Sequence, residues 1–297
     1  MNQVSRPIRP RRSVLYMPGA NVRAMEKARE LPCDTIVFDL EDAVAPDAKD
    51  TAREQVAAAV RSGGYGHREL VLRVNGIDTP WAAADLAAAS QLPVDAVLLP
   101  KVSSSEQVLA YSRGLVGPHG AALPLWVMIE TPRGVLDLES ILAASARIDV
   151  VVMGTSDLIK ELRARHTEDR AALLSSLAHC VLVARALDRV VLDGVHLDFK
   201  NMESFERACR QGRDLGFDGK TLIHPTQVDI ANAIFGPGAD EIERARQIIA
   251  AWHEAQRAGK GVAVLNGALV ENLHAVEAQR VLAFAKALEA RGQLHES

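Results

Sequence analysis

The chain has 297 residues, 48% of them hydrophobic, and a formal net charge of −4 at pH 7. This length suits an α/β barrel with an additional segment, and the hydrophobic fraction is ample for a large core. The small acidic excess argues against a nucleic-acid-binding surface, which normally presents a strongly basic face.

Cysteine usage and hydropathy favour a soluble, cytoplasmic protein. Cys33, Cys180 and Cys209 are odd in number and form no C-x-x-C pair, as expected of reduced thiols rather than of a disulfide or zinc framework. The N-terminus lacks the apolar core of a signal peptide, and no stretch of about 18 apolar residues runs without charge or proline.

Short apolar runs alternate with helical patterns after residues 1–12, a basic, proline-containing segment that predicts a flexible tail. The runs are nearly continuous and rich in β-branched residues, as is typical of strands buried on both faces of a parallel sheet. Eight strand–helix units predict a (β/α)8 TIM barrel over residues 13–236, with an open doubly wound sheet as the alternative. The predicted strands cover residues 13–19, 35–41, 70–76, 96–102, 125–131, 150–156, 193–199 and 220–226.

A C-terminal extension over residues 237–297 begins at the Gly- and Pro-rich sequence GPGAD. We predict a helix at about 239–258, a type I′ hairpin at Asn266-Gly267 and a final helix at about 274–291. The extension is too small to fold alone, so we expect it to pack on the barrel or to cap the active site of a neighbouring subunit.

Polar residues follow the predicted strands at their carboxyl ends, where barrel enzymes place their chemistry. Any one of them could be a helix cap or a solvated charge, but together they predict one functional rim. They are Asp39, Glu41, Asp42, Arg73, Asn75, Lys101, Glu130, Asp157, Asp198 and His224.

Glu130 and Asp157 are the candidate metal ligands. Each ends an apolar run, and adjacent strands lie roughly 5 Å apart, so both carboxylates could reach one ion. Because no Cys or His cluster has ligand spacing, Mg²⁺ is favoured over zinc. Asp39, Glu41 and Asp42 would then hold metal-bound waters. The alternatives are a charge near a helix N-terminus for Glu130 and a helix cap for Asp157.

Three cations are candidates for anion binding. Arg73 has a guanidinium suited to bidentate capture of a carboxylate. Alternatively, it forms a structural ion pair with the acidic cluster, which consists of Asp39, Glu41 and Asp42. Arg23 and Lys27 lie four residues apart on one face of the first predicted helix. They could bind phosphate or simply form a solvated face.

Seven motifs, in this order, resemble the citrate lyase β-subunit-like (CitE-like) group, which includes malyl-CoA and citramalyl-CoA lyases within the HpcH/HpaI aldolase superfamily. The resemblance covers roughly residues 11–275. The motifs are RSVLYMPGANVRAMEKA, FDLEDAV, LRVNG, LLPKV, MIETPRG, DGVHLDF and LGFDGKTLIHPTQV.

The resemblance implies a TIM barrel whose C-terminal segment reaches over a neighbour's active site, in trimers or larger assemblies such as hexamers. It implies reversible, Mg²⁺-dependent Claisen-type cleavage of a malyl-, citramalyl- or citryl-CoA-like 3-hydroxyacyl-CoA into an acyl-CoA and a 2-oxo acid. It further implies that Glu130 and Asp157 bind the metal, Glu41 and Asp42 surround it, Arg73 grips the oxo acid, and Tyr16, Arg23 and Lys27 lie along CoA.

Two departures from the family pattern leave the substrate and reaction open. Lyases of the group carry an aspartate in a GKMID stretch that transfers a proton from the adjacent subunit, whereas this chain has Glu271 in GALVE. The sequence GTSDL also replaces the commoner GxEDL, although Asp157 is kept. The alternatives to a lyase are a malyl-CoA-type thioesterase, a CoA-independent hydroxy-oxo-acid aldolase and a non-catalytic subunit of a lyase complex.

Overall fold

The computed structural model describes residues 8–117, 120 and 122–292. Two compact units divide the chain: one spans Arg11–Asn232, and the other comprises the described residues before Arg11 and after Asn232. The division lies a few residues before the boundary at 236/237 that the sequence predicts.

Eight parallel strands form a closed barrel in chain order, with β8 pairing back to β1. This confirms the predicted (β/α)8 TIM barrel and excludes the open sheet, because a closed barrel has no edge strand. The strands are β1 Ser13–Pro18, β2 Thr35–Asp39, β3 Glu69–Arg73, β4 Ala96–Leu99, β5 Leu125–Ile129, β6 Ile148–Met153, β7 Val190–Asp193 and β8 Gly219–Leu222.

The helices follow the strands and are short next to several strand ends. They are α1 Val22–Lys27, α2 Lys49–Ser62, α3 Ala82–Ala89, α4 Ser105–Ser112, α5 Pro132–Leu136, α6 Leu138–Ala143, α7 Thr155–Glu161, α8 Leu174–Ala186, α9 Met202–Leu215, α10 Val228–Phe235, α11 Ala239–Arg257 and α12 Asn272–Glu289. Across the described ranges, we find no helix with the length and apolarity needed to span a bilayer.

Alternate strand residues fill the interior of the barrel. Ala96 and Leu98 of β4, and Val150 and Val152 of β6, belong to one buried cluster that also contains Trp126. This spacing of two follows from the pleat, which turns every second side chain inward. Burial of each large apolar side chain contributes about 1.5–3 kcal/mol, so the strands form a rigid support for their polar ends.

The predicted strand at residues 193–199 is wrong. The seventh strand is Val190–Asp193, and a loop follows it. Val191 and Leu192 are fully buried, whereas Leu197 and Phe199 are 55% and 39% exposed, so the earlier apolar run fills the barrel. Asp198 therefore lies in the loop rather than at a strand end, and Asp193 ends the strand instead.

Arg11 and Arg12, which the sequence places in the flexible tail, belong to the barrel unit. Arg11 Nε lies 2.6 Å from Glu69 Oε2, and Arg12 Nε lies 2.9 Å from Asp34 Oδ2. These ion pairs attach the segment just before β1 to the barrel. Residues 1–7 of the predicted tail lie outside the described residues.

The C-terminal unit contains α11, the hairpin strands β9 Ala263–Leu265 and β10 Ala268–Val270, and α12. Asn266 and Gly267 have φ of +50° and +79°, which confirms the predicted type I′ turn. Trp252 of α11 packs with Ala263 and Val270 of the hairpin in a buried apolar cluster.

Candidate active site

A cavity of about 380 Å³ lies at the carboxyl ends of the barrel strands. Its lining brings together six residues that the sequence singled out, from β1, β2, β3 and the segments after β2, β5 and β6. They are Tyr16, Asp39, Asp42, Arg73, Glu130 and Asp157. Asp39 and Arg73 lie directly opposite one another in the β2–β3 pairing, so the barrel register itself sets their proximity.

Arg73 is held by the acidic cluster. Its Nε and Nη2 donate to the two oxygens of Asp39 at 2.7 and 2.6 Å, and its Nη1 lies 2.7 Å from Glu41 Oε2. Asp39 also accepts the Glu41 backbone N–H at 2.8 Å. The ion pair that the sequence allowed as an alternative role is therefore present, and the two-pronged face of the guanidinium is already occupied by Asp39.

The ring of Tyr16 packs against the guanidinium of Arg73. Its ring centroid lies 5.0 Å from Arg73 Cζ, a cation–π contact, and its hydroxyl is buried without a hydrogen-bond partner among the described residues. Burial raises the pKa of this phenol, so it stays protonated. The ring thus fixes Arg73, and a role along CoA stays a prediction.

Lys101, two residues after the end of β4, contacts three of the acidic residues. Its backbone N–H donates to Glu130 Oε1 at 2.7 Å, and its Nζ lies 2.7 Å from Glu41 Oε1 and 3.5 Å from Asp42 Oδ1. To do this, Lys101 adopts a φ of +53°, a left-handed conformation unfavourable for a residue with a Cβ. Strain of this kind concentrates at functional sites.

Glu130 is a buried carboxyl group, only 2% exposed. Burial, with the added repulsion of Glu41 and Asp157, raises its pKa to about 8. Gly154 makes room for it, because a Cβ there would lie 2.3 Å from Glu130 Cβ and 2.6 Å from Oε2. A nearby cation would stabilise the ionised form of this group.

Asp157 lies in the first turn of α7 rather than at a strand end, since β6 stops at Met153. Its side chain is half-buried and lines the same cavity as Glu130. Gly154 occupies the N-cap position of α7, and the helix has no side-chain cap. The capping role considered for Asp157 is therefore wrong.

The donor set fits a hard divalent cation. Within the described ranges, no group of three or more His, Cys, Asp or Glu side chains is arranged to hold a metal ion, so Glu130 and Asp157 would share it with water and substrate oxygens. Two cations, Arg73 and Lys101, share this rim with four carboxylates and with the buried carboxyl group of Glu130. The excess negative charge around a buried carboxyl group is what a divalent ion would balance.

Three predicted site residues do not join this cluster. Arg23 and Lys27 lie on α1 as expected, but their side chains are exposed and do not line the cavity. Glu271 belongs to the C-terminal unit, where it occupies the N-cap position of α12 and its backbone N–H donates to His274 Nδ1 at 3.0 Å.

Sequence reasoning missed Lys49. Its Nζ donates to the backbone carbonyls of Leu40 and Glu41, both at 2.7 Å, and so holds the loop that carries the acidic residues. A signal exists: Lys49 shares the buried face of α2 with Ala52, Val56 and Val60, where a lysine is unexpected unless it has a partner.

Comparison with known proteins identifies the family. Residues 12–225 match the family model of the HpcH/HpaI aldolase/citrate lyase family. The chain belongs to this family. It is 50% identical over 281 residues to a (3S)-malyl-CoA thioesterase of Cereibacter sphaeroides, covering 95% of this chain and 96% of the relative. It is 34% identical over 272 residues to the citrate lyase subunit beta of Escherichia coli, covering 90% of each chain.

A solved structure is also similar to this chain. The protein CitE from Mycobacterium tuberculosis, in complex with magnesium, acetoacetate and coenzyme A, matches with a TM-score of 0.75 and 26% identity. The match covers 92% of this chain and 97% of that one. The family resemblance inferred from the motifs is thus confirmed, together with the barrel.

Proposed function

We propose that this protein hydrolyses short 3-hydroxyacyl-CoA thioesters of the malyl-CoA type with the help of Mg²⁺. The observation that carries the proposal is the 50% identity, over nearly the whole chain, to (3S)-malyl-CoA thioesterases, against 34% to citrate lyase subunit beta. Hydrolysis, which the sequence left as an alternative, thereby becomes the leading reading over carbon–carbon cleavage.

Glu130 and Asp157 would hold the ion. When bound, Mg²⁺ supplies positive charge that orients and polarises a substrate oxygen. Lys101 keeps Glu130 in place through its backbone N–H, while Glu41 and Asp42 would accept hydrogen bonds from water around the ion. Magnesium in the solved CitE relative supports the choice of ion.

Arg73 would bind the free carboxylate of the substrate through Nη1. Asp39 holds the other side of the guanidinium, so its orientation is fixed before substrate arrives. The substrate would displace Glu41 from Nη1, and Lys101 Nζ, 2.7 Å from Glu41 Oε1, keeps that carboxylate paired. After this exchange, Arg73 pairs with the substrate carboxylate and Glu41 pairs with Lys101.

Hydrolysis requires water to attack the thioester carbon, the carbon–sulfur bond to break, and a proton to pass from that water to the leaving sulfur. We propose that Asp42, which lines the cavity with a side chain 56% exposed, accepts the proton from the attacking water. The family resemblance implies a carboxylate that transfers a proton from the adjacent subunit, and we propose that Glu271 fills this role by relaying the proton from Asp42 to the leaving sulfur. The proposed function includes an assembly of three or six subunits in the cytoplasm. It also includes contacts of Tyr16, Arg23 and Lys27 with CoA.

Carbon–carbon cleavage is the second candidate. The likeness to citrate lyase subunit beta favours it, as does the CitE relative crystallised with acetoacetate and coenzyme A. The same residues would then hold the 2-oxo acid as the carbon–carbon bond breaks, and the thioester would stay intact.

A product assay distinguishes the two. Malyl-CoA, citramalyl-CoA and citryl-CoA are incubated with enzyme and Mg²⁺ or EDTA, while free thiol and 2-oxo acid are followed separately. We expect free thiol without 2-oxo acid, abolished by EDTA. Release of 2-oxo acid without thiol would establish the lyase instead, and neither product from any ester would refute both reactions.

A further inference from the structure

The main-chain carbonyl of Leu40 lies within the acidic cluster, between Asp39 and Glu41. It accepts two hydrogen bonds, one from Lys49 Nζ at 2.7 Å and one from Asn75 Nδ2 at 3.0 Å. Lys49 Nζ also donates to the Glu41 carbonyl at 2.7 Å. Two consecutive carbonyls of the cluster are thus bound by side chains from two other segments of the chain.

Asn75 is itself held by helix α3. Asp85 Oδ2 accepts its side-chain Nδ2 at 2.6 Å and its backbone N–H at 2.9 Å. Asp85 is fully buried, and its Oδ1 accepts Arg53 Nε of α2 at 2.8 Å. The Asn75 amide therefore donates to Leu40 and to Asp85, which fixes its orientation.

Lys49 is a buried cation whose partners are carbonyl groups. It is 6% exposed, lies 5.2 Å from the centroid of the Trp81 ring, and forms no ion pair among the described residues. Burial lowers the pKa of its ammonium group, because a charge loses its hydration there. Four carboxylates oppose that shift, those of Asp39, Glu41, Asp85 and Asp42. A buried lysine with these partners departs from ordinary core composition, and such departures concentrate at functional sites.

The acidic cluster needs support because its carboxylates repel one another. Burial and the negative charge of Asp42 raise the pKa of Glu41. In the proposed mechanism, a substrate carboxylate also displaces Glu41 from Arg73 Nη1. With the carbonyls of Leu40 and Glu41 held by other segments, that displacement is confined to the Glu41 side chain. Asp42 then keeps its place in the cavity.

We propose that Lys49 and Asn75 are positioning residues, which hold the main chain of the acidic cluster in the arrangement that turnover requires before substrate or ion binds. The effect on turnover rests on the proposed function, whereas the effect on the main chain does not depend on which reaction occurs. The proposal gives a role to Asn75 of the LRVNG motif, which contacts neither substrate nor ion in the proposed mechanism.

Hydrogen–deuterium exchange of the full chain tests the support directly and without substrate. The backbone N–H groups of Leu40 and Val44 are hydrogen-bonded, to the carbonyls of Arg73 and Glu41, so loosening of this segment is measurable. In Lys49→Met, which keeps side-chain length and removes the ammonium group, we expect roughly tenfold faster exchange over residues 39–48 only.

Asn75→Ala is an independent variant of the same support. It removes the bond to Leu40 but leaves the two bonds of Lys49 and the bond from the Asn75 backbone N–H to Asp85. We therefore expect faster exchange over the same residues, by a smaller factor than in Lys49→Met. Lys49→Arg should restore exchange close to the wild-type rate, because a guanidinium keeps donors for both carbonyls.

Arg147→Met is the matched control. Arg147 also donates to backbone carbonyls, but it precedes β6 and does not line the cavity. The carbonyls are those of Leu123, Ser112 and Leu115. Exchange over residues 39–48 should not change in this variant.

Turnover of malyl-CoA tests the functional part of the proposal. We expect Lys49→Met to lower kcat at least about tenfold, the loss typical of outer-shell partners, and Lys49→Arg to recover most of it. KM should change less than about twofold, because Asp39 still holds Arg73 for the substrate carboxylate.

Wild-type exchange over residues 39–48 in both Lys49→Met and Asn75→Ala would overturn the inference. Faster exchange throughout the chain would also overturn it, since that result indicates a loss of global stability. Faster local exchange with unchanged kcat would show that turnover does not require this arrangement. If the wild type turned over no thioester, the proposed function itself would fail, and the exchange rates would still decide whether Lys49 and Asn75 hold the acidic cluster.

Discussion

The backbone N–H of Lys101 bonds Glu130 Oε1 at 2.7 Å, while the ammonium group of the same residue lies 2.7 Å from Glu41 Oε1. One residue thus connects the proposed metal ligand to the acidic cluster after β2. Both contacts depend on a backbone conformation that side-chain-bearing residues rarely adopt. The contacts of the amide and of the amine can be separated by substitution.

Lys101→Gly should be more stable than Lys101→Ala. Both variants lose the amine, but only Ala keeps the Cβ that makes a φ of +53° unfavourable, at about 1 kcal/mol. Urea unfolding of the two variants measures the difference. Their activities should fall together, since neither can pair with Glu41. An alanine variant as stable as the glycine variant would show that the conformation is not strained.

Gly154→Ala should abolish metal binding. The added Cβ would lie 2.6 Å from Glu130 Oε2 and displace the carboxylate, so we expect at least a hundredfold loss of Mg²⁺ affinity and of activity. Gly114→Ala is the control, because a Cβ at that position meets nothing within 4 Å. Calorimetric titration with Mg²⁺ compares them, and unchanged affinity in Gly154→Ala would place the ion elsewhere.

Asp193→Asn should destabilise the barrel by about 3–5 kcal/mol. Asp193 is fully buried, with Lys220 Nζ at 2.7 Å and Arg170 Nη1 at 2.8 Å, so the substitution leaves a buried lysine unpaired. The measurement is urea unfolding at pH 7. A loss below about 1 kcal/mol would show that the buried pair contributes little.

The same substitution should alter the pH dependence of stability. Burial alone would raise the pKa of Asp193, but Lys220 and Arg170 outweigh it and hold the pKa below its ordinary value. A carboxyl group with a depressed pKa stabilises the fold above about pH 4, and this contribution disappears as the pH falls further. The difference between wild type and Asp193→Asn should therefore shrink below pH 4, and a constant difference would refute this cause.

Glu271→Gln should abolish turnover while Mg²⁺ binding survives. The substitution keeps side-chain size and removes only the carboxylate, so α12, which Glu271 precedes, should keep its stability. Steady-state assays and thermal unfolding together make the comparison. Full activity in the variant would remove Glu271 from the mechanism. Glu271→Asp restores the family residue and should increase the fraction of 2-oxo acid among the products.

The barrel and most of the polar residues that line its cavity were predictable from the sequence, because apolar runs filled the interior and polar residues followed them directly. Strand seven was misplaced since Leu197 and Phe199 alternate with polar residues as a strand would, although both are exposed. Local pattern does not distinguish an apolar residue in a core from one on a rim.

The sequence did not predict which charged residues pair with one another at the rim. The sequence allowed Arg73 to bind either a ligand or the acidic cluster, and only the β2–β3 register shows that Asp39 faces it. Nothing in the sequence predicted the left-handed backbone of Lys101 either, because glycine or asparagine usually occupies positions with that conformation. Both features arise from tertiary packing rather than from local propensity.

Mg²⁺ titration of the wild type, Glu130→Gln and Asp157→Asn tests the central claim most directly. Gln at 130 keeps an oxygen for the Lys101 N–H, so a loss of binding would reflect the missing charge and not a broken loop. We predict one ion per chain in the wild type and none at millimolar Mg²⁺ in either variant. Equal binding by all three proteins would contradict the account.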